Sequence, residues 1–412
     1  MTIFDSRWVT LPDHVTELDP GTLAAGFRAA GVAAGLKPSG DPDLAMIVCD
    51  APDVTSDARF TATGAPAPPV LLTRERTTLE AIRAVVVNSG NANAATGRRG
   101  YEDAAQMQGG GAMVAGVAER HVAVCSTGVI GVPLPMREIK RGLAACAREL
   151  SPDGAAAFAE AIRTTDVLDK HVALTVTLPS GPVTVSAQCK GAGMISPKFA
   201  TLLCFVQTDA RMSAATCELL LGVCLKRSFE RISVDGQLST NDTVILQASG
   251  ASGVVVEAET PDELALGEAL DALMRGLALS VVRDGEGARR VGRVTVRGGD
   301  PDAVERSARA VADSPLVKTA LYGGDPNWGR IIQAVGAALA GGAPLDVDIS
   351  IEGVPVCVAG AAVAHDADAL SAAVARDEVE YEIGLPGEGA EAQLYFSDLG
   401  HEYVTINAEY TT

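Results

Sequence analysis

Four polar, glycine-rich segments interrupt otherwise apolar sequence: residues 88–97 (NSGNANAATG), 126–131 (STGVIG), 190–201 (KGAGMISPKFAT) and 325–330 (DPNWGR). Each follows a run that reads as a strand, and small residues placed there bring backbone N–H groups and short polar side chains to a ligand. By residue type alone the same clusters are turns. The five histidines are scattered, which leaves a Ser/His/Asp or Cys/His arrangement without a centre. Residues 88–97 lack the lysine of a phosphate-binding loop and do not complete GxGxxG. Gly109, Gly110, Gly111 and Gly116 lie in a small-residue stretch of helical character rather than directly after a strand, so nucleotide binding is not expected.

With no histidine base in view, a nucleophile needs another one, and Thr201 offers it. A hydroxyl in mid-chain attacks poorly. If the peptide bond before Thr201 breaks, the freed α-amino group lies within reach of its own Oγ and titrates near ~7.7–8.0. Such an amine is a usable base at neutral pH. By residue type alone, however, Ala200 and Thr201 stand in an apolar stretch and read as buried strand residues.

The elements that must hold these segments are legible in part. Val172, Leu174, Val176 and Leu178 alternate on one face before Pro179, Ser180, Gly181 and Pro182 turn the chain into a second alternating run, which predicts a half-buried hairpin. Leu345, Val347, Ile349 and Ile351 predict another, turning at Glu352 and Gly353. Thr260, Pro261 and Glu263 form a helix start with a capping box, and Leu266, Leu270, Leu273 and Leu277 extend it as one stripe to about residue 282. Ser213 caps a helix toward Arg227, residues 302–313 form a third, and a strand covers 293–297. The mixture predicts an α/β fold of mixed α+β layers with antiparallel pairing. A domain boundary is placed at residues 284–290.

The 412 residues suffice for two or three domains, and 47% hydrophobic content is normal for a folded core. Aromatic residues are only 4%, with 43 glycines, so packing must rely on small side chains and close backbone approach. A net charge of -19 without any basic block argues against nucleic acid and favours small zwitterionic partners. The eight cysteines fall mostly in apolar runs and lack metal-ligand spacing, which predicts buried thiols, no metal and a reducing, cytoplasmic setting. No apolar run approaches ~20 residues, so no membrane span is expected.

Over nearly its whole length the sequence resembles the ornithine acetyltransferase (glutamate N-acetyltransferase) family of arginine biosynthesis. The likeness is an ordered series: GFRAAGVAAGLKPSG, VVNSGNANAATG, STGVIGVPLPM, TTD, KGAGM, FATLL, RISVDG with STNDTV, RDGEGA, SPLVKTA, DPNWGRI and INAEYTT. The resemblance implies self-cleavage between Ala200 and Thr201 into an α chain, 1–200, and a β chain, 201–412. It implies Thr201 as the nucleophile that carries acetyl from N-acetylornithine to glutamate in ping-pong fashion, and Thr127 with Gly128 as the oxyanion hole. Substrate contacts carried over by position are Thr164, Thr165, Lys190, Thr201, Glu286, Asn407 and Thr412. Lys190 would pair with an α-carboxylate and Glu286 with an ammonium, the plainer alternative being an ion pair between the two. The implied architecture is a layered catalytic domain, 1–285, similar to amino-terminal-nucleophile hydrolases, and a smaller α/β domain, 286–412, whose tail returns to the site. An α2β2 or larger assembly is implied, with no cofactor and acetyl-CoA as an alternative donor.

The sequence departs from the family pattern at Lys198 and Phe199, which replace Asn-Met, at Gln237 and Leu238 in place of an acidic residue and threonine, at Gly324 in place of glutamate, and at Ala95 in place of cysteine. These changes leave open a paralogue acting on a related amino acid or, since Lys198 and Phe199 flank the scissile bond, an uncleaved binding protein. Capture of the same acyl-enzyme by water would instead make an amino-terminal-threonine hydrolase.

Overall fold

The computed structural model describes residues 3–196, 202–341 and 344–409. Its centre is set by strands such as Leu44–Cys49 (LAMIVC) and Ala84–Asn91 (AVVVNSGN), which are buried along almost their whole length. Side chains alternate across a strand, so continuous apolar runs demand cover on both faces. Val85 and Val87 point with Cys125 into one core, and Val86 points with Val122 and Val124 into another. These strands join Phe27–Val32 and Val122–Val129 in a four-stranded sheet. A six-stranded sheet runs Val15–Glu17, Lys170–Leu178, Gly181–Lys190, Leu203–Thr208, Thr243–Ala248, Thr55–Phe60. Val85, Val87, Phe205 and Ile245 share the core between the two sheets, with the helix Ala155–Ile162 wedged in through Phe158.

The outer face of the smaller sheet is covered by Pro68–Arg76, Gly97–Ala115 and Met136–Glu149, and that of the larger sheet by Ala214–Arg227 and Pro261–Arg283. The order is helix, sheet, sheet, helix. Glycine allows the close approach expected from the composition: a Cβ at Gly111 would stand 2.5 Å from Val86 Cγ2, so the glycine run is a packing surface of the helix.

The expected helices form. Thr260 Oγ1 accepts the Glu263 N–H and the Glu263 carboxylate accepts the Glu259 N–H at 2.8 Å. Ser213 caps Ala214–Arg227, and Asp300 caps Pro301–Asp313. Leu266, Leu270, Leu273 and Leu277 are buried, each contributing about 1.5–3 kcal/mol relative to exposure. The first hairpin pairs Val176 with Val183 and Leu178 with Gly181. Its first strand is half-buried as expected, with Val172, Leu174, Val176 and Leu178 buried and His171, Thr175 and Thr177 more open. The second is instead buried on both faces from Val185 to Lys190, inside the larger sheet. The second hairpin starts at Asp348 rather than Leu345: Val347 gives its carbonyl to the Gly360 N–H at 2.9 Å, outside the ladder.

Strand pairing is mixed rather than antiparallel throughout. Ala84–Asn91 and Val122–Val129 are parallel through the helix Gly97–Ala115, and Leu203–Thr208 and Thr243–Ala248 are also parallel. A seven-stranded sheet follows, ordered Ile232–Ser233, Ala390–Ser397, Val291–Gly298, Glu378–Gly384, Asp348–Ile351, Val354–Val358, Ala361–Ala362, with Pro301–Asp313 and Trp328–Ala338 packed on it. The helix His401–Glu409 then turns back across Gly287. All eight cysteines are free and buried, and burial pushes the Cys125 and Cys146 thiols up to about 12. Among the described residues no cluster could hold a metal ion, and no helix is long and apolar enough to cross a membrane.

Candidate active site

The strand Val122–Val129 ends in Ser126, Thr127 and Gly128, beside the end of its parallel neighbour Ala84–Asn91. Ser126 donates to Asn88 Oδ1 at 2.6 Å, and Asn88 Nδ2 donates to the Asn91 carbonyl at 2.8 Å. These bonds hold the two strand ends together where the ladder bulges at Gly90 and Asn91. Gly128 has φ 130°, and a Cβ there would lie 2.4 Å from the Gly90 carbonyl carbon. Only glycine fits that approach.

Lys190 ends the strand Gly181–Lys190 with its side chain 3% exposed. Its ammonium donates to Thr164 Oγ1 at 2.7 Å and to Thr127 Oγ1 at 3.4 Å, and stands 3.7 Å from Asp166 Oδ2. Asp166 Oδ1 also accepts from Lys170 at 2.8 Å and from the Gly191 N–H at 2.6 Å. Lys170 donates in turn to Asp284, whose carboxylate accepts the Val167 and Leu168 N–H groups. Burial works against a charge on Asp166, but Lys170 and Lys190 outweigh it and hold this carboxyl well below the usual carboxylate range. At Asp284 burial prevails over Lys170 and raises the carboxyl. Lys170, 1% exposed, is thus the shared partner of two buried carboxylates. Lys170→Met should destabilise the fold by about 3–5 kcal/mol, since removing one member of a buried pair strands the other. Denaturant titration checks this, and a loss below about 1 kcal/mol would contradict it.

Glu286 follows the helix Pro261–Arg283 between two glycines. Its N–H donates to the Ala192 carbonyl at 3.0 Å, and a Cβ on Gly193 would stand 2.7 Å from Glu286 Oε1. Gly287, at φ 72°, leaves no room for a Cβ, which would meet Glu402 Cβ at 2.5 Å. The C-terminal helix therefore lies directly on this turn. There Asn407 Nδ2 donates to Glu286 Oε2 at 2.7 Å, and Tyr403 OH to Asp235 Oδ2 at 3.4 Å.

One cavity is lined by Thr127, Gly128, Thr164, Thr165, Lys190, Glu286 and Asn407, together with Ala92, Ile130, Gly193, Met194, Ser239, Thr240 and Asn241. Ala200, Thr201 and Thr412 lie outside the described residues. The chain on either side of 197–201 is firmly held. Asp235 accepts the N–H groups of Met194 and Ile195 at 2.7 and 2.9 Å, and the Ile195 carbonyl accepts the Val234 N–H at 2.9 Å. Asp242 Oδ1 accepts the Leu202 N–H at 2.9 Å. Asp242 is itself buried, which pushes its carboxyl well up.

Two sequence readings are corrected. Lys190 and Glu286 do not pair with each other: the anion beside Lys190 is Asp166, while Glu286 is held by Asn407. Residues 325–330 do not line the cavity. Asn327 caps the helix Trp328–Ala338 through the Arg330 N–H, and Arg330 ties this turn to the Leu316 carbonyl at 2.8 Å. Of residues 88–97, only Ala92 reaches the cavity; Asn91, Asn93 and Thr96 bond among themselves and to the following helix. Sequence reading passed over Asp166, Asp235, Asn241 and Asp242, although TTD, RISVDG and STNDTV contain them. Lys170 and Asp284 carry no local signal as a buried pair, because their partners are 114 positions apart.

The ArgJ family profile matches residues 28–412. The arginine biosynthesis bifunctional protein ArgJ of Geobacter sulfurreducens is 43% identical over 390 residues, covering 94% of this chain and 99% of that protein. Its counterpart from Thermus thermophilus is 42% identical over 393 residues, covering 95% and 99%. Among solved structures, ornithine acetyltransferase complexed with ornithine from Mycobacterium tuberculosis is 39% identical, covers 46% of this chain and 99% of that one, and has a TM-score of 0.42.

Proposed function

The chain belongs to the ArgJ family, and from that membership we propose that it is a self-processing enzyme that moves acetyl from N-acetylornithine to glutamate through an acetylated Thr201. One observation carries the reading: residues 127, 128, 164, 165, 190, 286 and 407, taken from separate stretches of sequence, line a single cavity.

Self-cleavage begins with attack of Thr201 Oγ on the Ala200 carbonyl. The acyl group shifts from nitrogen to oxygen, which frees the Thr201 α-amine, and water hydrolyses the resulting ester to release the Ala200 carboxylate and restore the Thr201 hydroxyl. In transfer, that amine takes the Oγ proton as Oγ attacks the acetamide carbon of N-acetylornithine. The Thr127 hydroxyl and the Gly128 N–H stabilise the oxyanion. The C–N bond then breaks, the proton passes to the leaving amine, and ornithine departs. Glutamate enters the same cavity, its amine attacks the acetyl ester, and N-acetylglutamate leaves with Thr201 regenerated. Lys190 holds the α-carboxylate and Glu286 the ammonium of ornithine, with Asn407 aligning Glu286 and Thr412 a further substrate contact. The working form is an α2β2 or larger assembly of cleaved chains in the cytoplasm, and the chemistry needs no cofactor.

The test is acetyl exchange by the purified protein. N-acetylornithine plus glutamate should give N-acetylglutamate and ornithine, with parallel double-reciprocal lines. Release of acetate at a rate independent of glutamate would indicate a hydrolase instead, and preference for another acceptor would indicate a paralogous activity.

A further inference from the structure

The carboxylate of Asp166 is fully buried and lines no part of the cavity, yet it is the anion behind the cavity's lysine. Lys190 has three N–H donors in free rotation, so its aim depends on what surrounds it. Asp166 Oδ2 stands on one side at 3.7 Å, while the hydroxyls of Thr164 and Thr127 accept on the other at 2.7 and 3.4 Å. Asp166 is fixed in turn by Lys170 and by the Gly191 N–H, the residue next to Lys190. A hydroxyl that accepts a bond from an ammonium must send its own proton elsewhere. For Thr127 that leaves the cavity side free, where an oxyanion would form.

We propose that Asp166 is a positioning residue: it holds Lys190 against the Thr164 and Thr127 hydroxyls, and through Lys190 it sets Thr127 as a donor to the oxyanion. This rests on the acetyl-transfer reading for its consequence, but not for its geometry. Partners that orient the ligands of a metal site matter by ~10- to 100-fold, and an effect of the same order is expected for a carboxylate that orients this lysine.

The experiment combines a double-mutant cycle with one structure. In the processed enzyme Asp166→Asn should lower kcat for acetyl exchange about tenfold or more, with Asp166→Glu restoring part of it. In a Lys190→Met background the same change should cost less than about twofold, because Asp166 acts through Lys190. A crystal structure of Asp166→Asn should show Lys190 Nζ outside hydrogen-bond distance of Thr127 Oγ1. Equal losses in the two backgrounds, or Nζ unmoved in the variant, would overturn the proposal. If the native enzyme moves no acetyl at all, the functional reading falls and the position of Nζ alone decides this one. Should the Asn variant fail to fold, Asp166→Glu takes its place: a loss of kcat smaller than about tenfold is expected in the native background and none beside Lys190→Met, and equal losses in the two backgrounds would overturn the proposal.

Discussion

Thr201→Ala is expected to give one uncleaved chain of 412 residues with no measurable acetyl exchange. Both losses have one origin. Cleavage needs the Thr201 hydroxyl to attack the preceding carbonyl, and transfer needs that hydroxyl next to the amine that cleavage liberates. The flanks of the segment are tied to Asp235 and Asp242 through backbone N–H groups at Met194, Ile195 and Leu202, none of which the substitution removes. Thermal stability should therefore change little while both activities vanish. Thr201→Ser, which keeps a hydroxyl, should still process and transfer, more slowly. Electrophoresis under denaturing conditions and an exchange assay read both outcomes. Two fragments from the alanine variant would place the cleavage chemistry elsewhere.

Gly128→Ala should have the next largest effect, a fall in kcat of ~10²- to 10³-fold, the range for removal of one oxyanion donor. The reason is steric. The residue sits at φ 130°, and a methyl group would be driven to 2.4 Å from the Gly90 carbonyl carbon and 2.6 Å from the Asn91 nitrogen. Both contacts are backbone, so the strand end itself must shift, carrying the position 128 N–H and the Thr127 hydroxyl away from the reacting carbonyl. Lys190, Glu286 and Asn407 come from other elements, so KM for N-acetylornithine should rise far less than kcat falls. Steady-state kinetics on the processed variant separates the two. A KM increase with unchanged kcat would mean that this turn shapes binding rather than the transition state.

How much of this was legible depended on the reach of each interaction. The helix Pro261–Arg283 could be read because its cap, proline and leucine stripe are local. The hairpin pairing Val176 with Val183 could be read because alternation and turn are local as well. Parallel pairing of Leu203–Thr208 with Thr243–Ala248 was not legible, since nothing in either strand names a partner reached across a helix. In the site, the resemblance supplied Thr127, Lys190, Glu286 and Asn407, and their convergence follows from strand ends and a tail helix that local pattern does not reveal. The buried charges are the clearest gap. Lys170 and Lys190 are ordinary lysines in sequence, and only the fold shows both on Asp166. Ion pairing of Lys190 with Glu286 was a fair reading of two opposite charges, but it ignored Asp166, one residue beyond the threonine pair.

The most direct test of the central claim is the intact mass of the 201–412 fragment after brief exposure of the native enzyme to N-acetylornithine without an acceptor, followed by peptide mapping. The expected result is a gain of one acetyl group on the peptide beginning with Thr201, removed when glutamate is added. Ongoing transfer with an unmodified amino-terminal peptide, or with acetyl carried on another residue, would contradict the account.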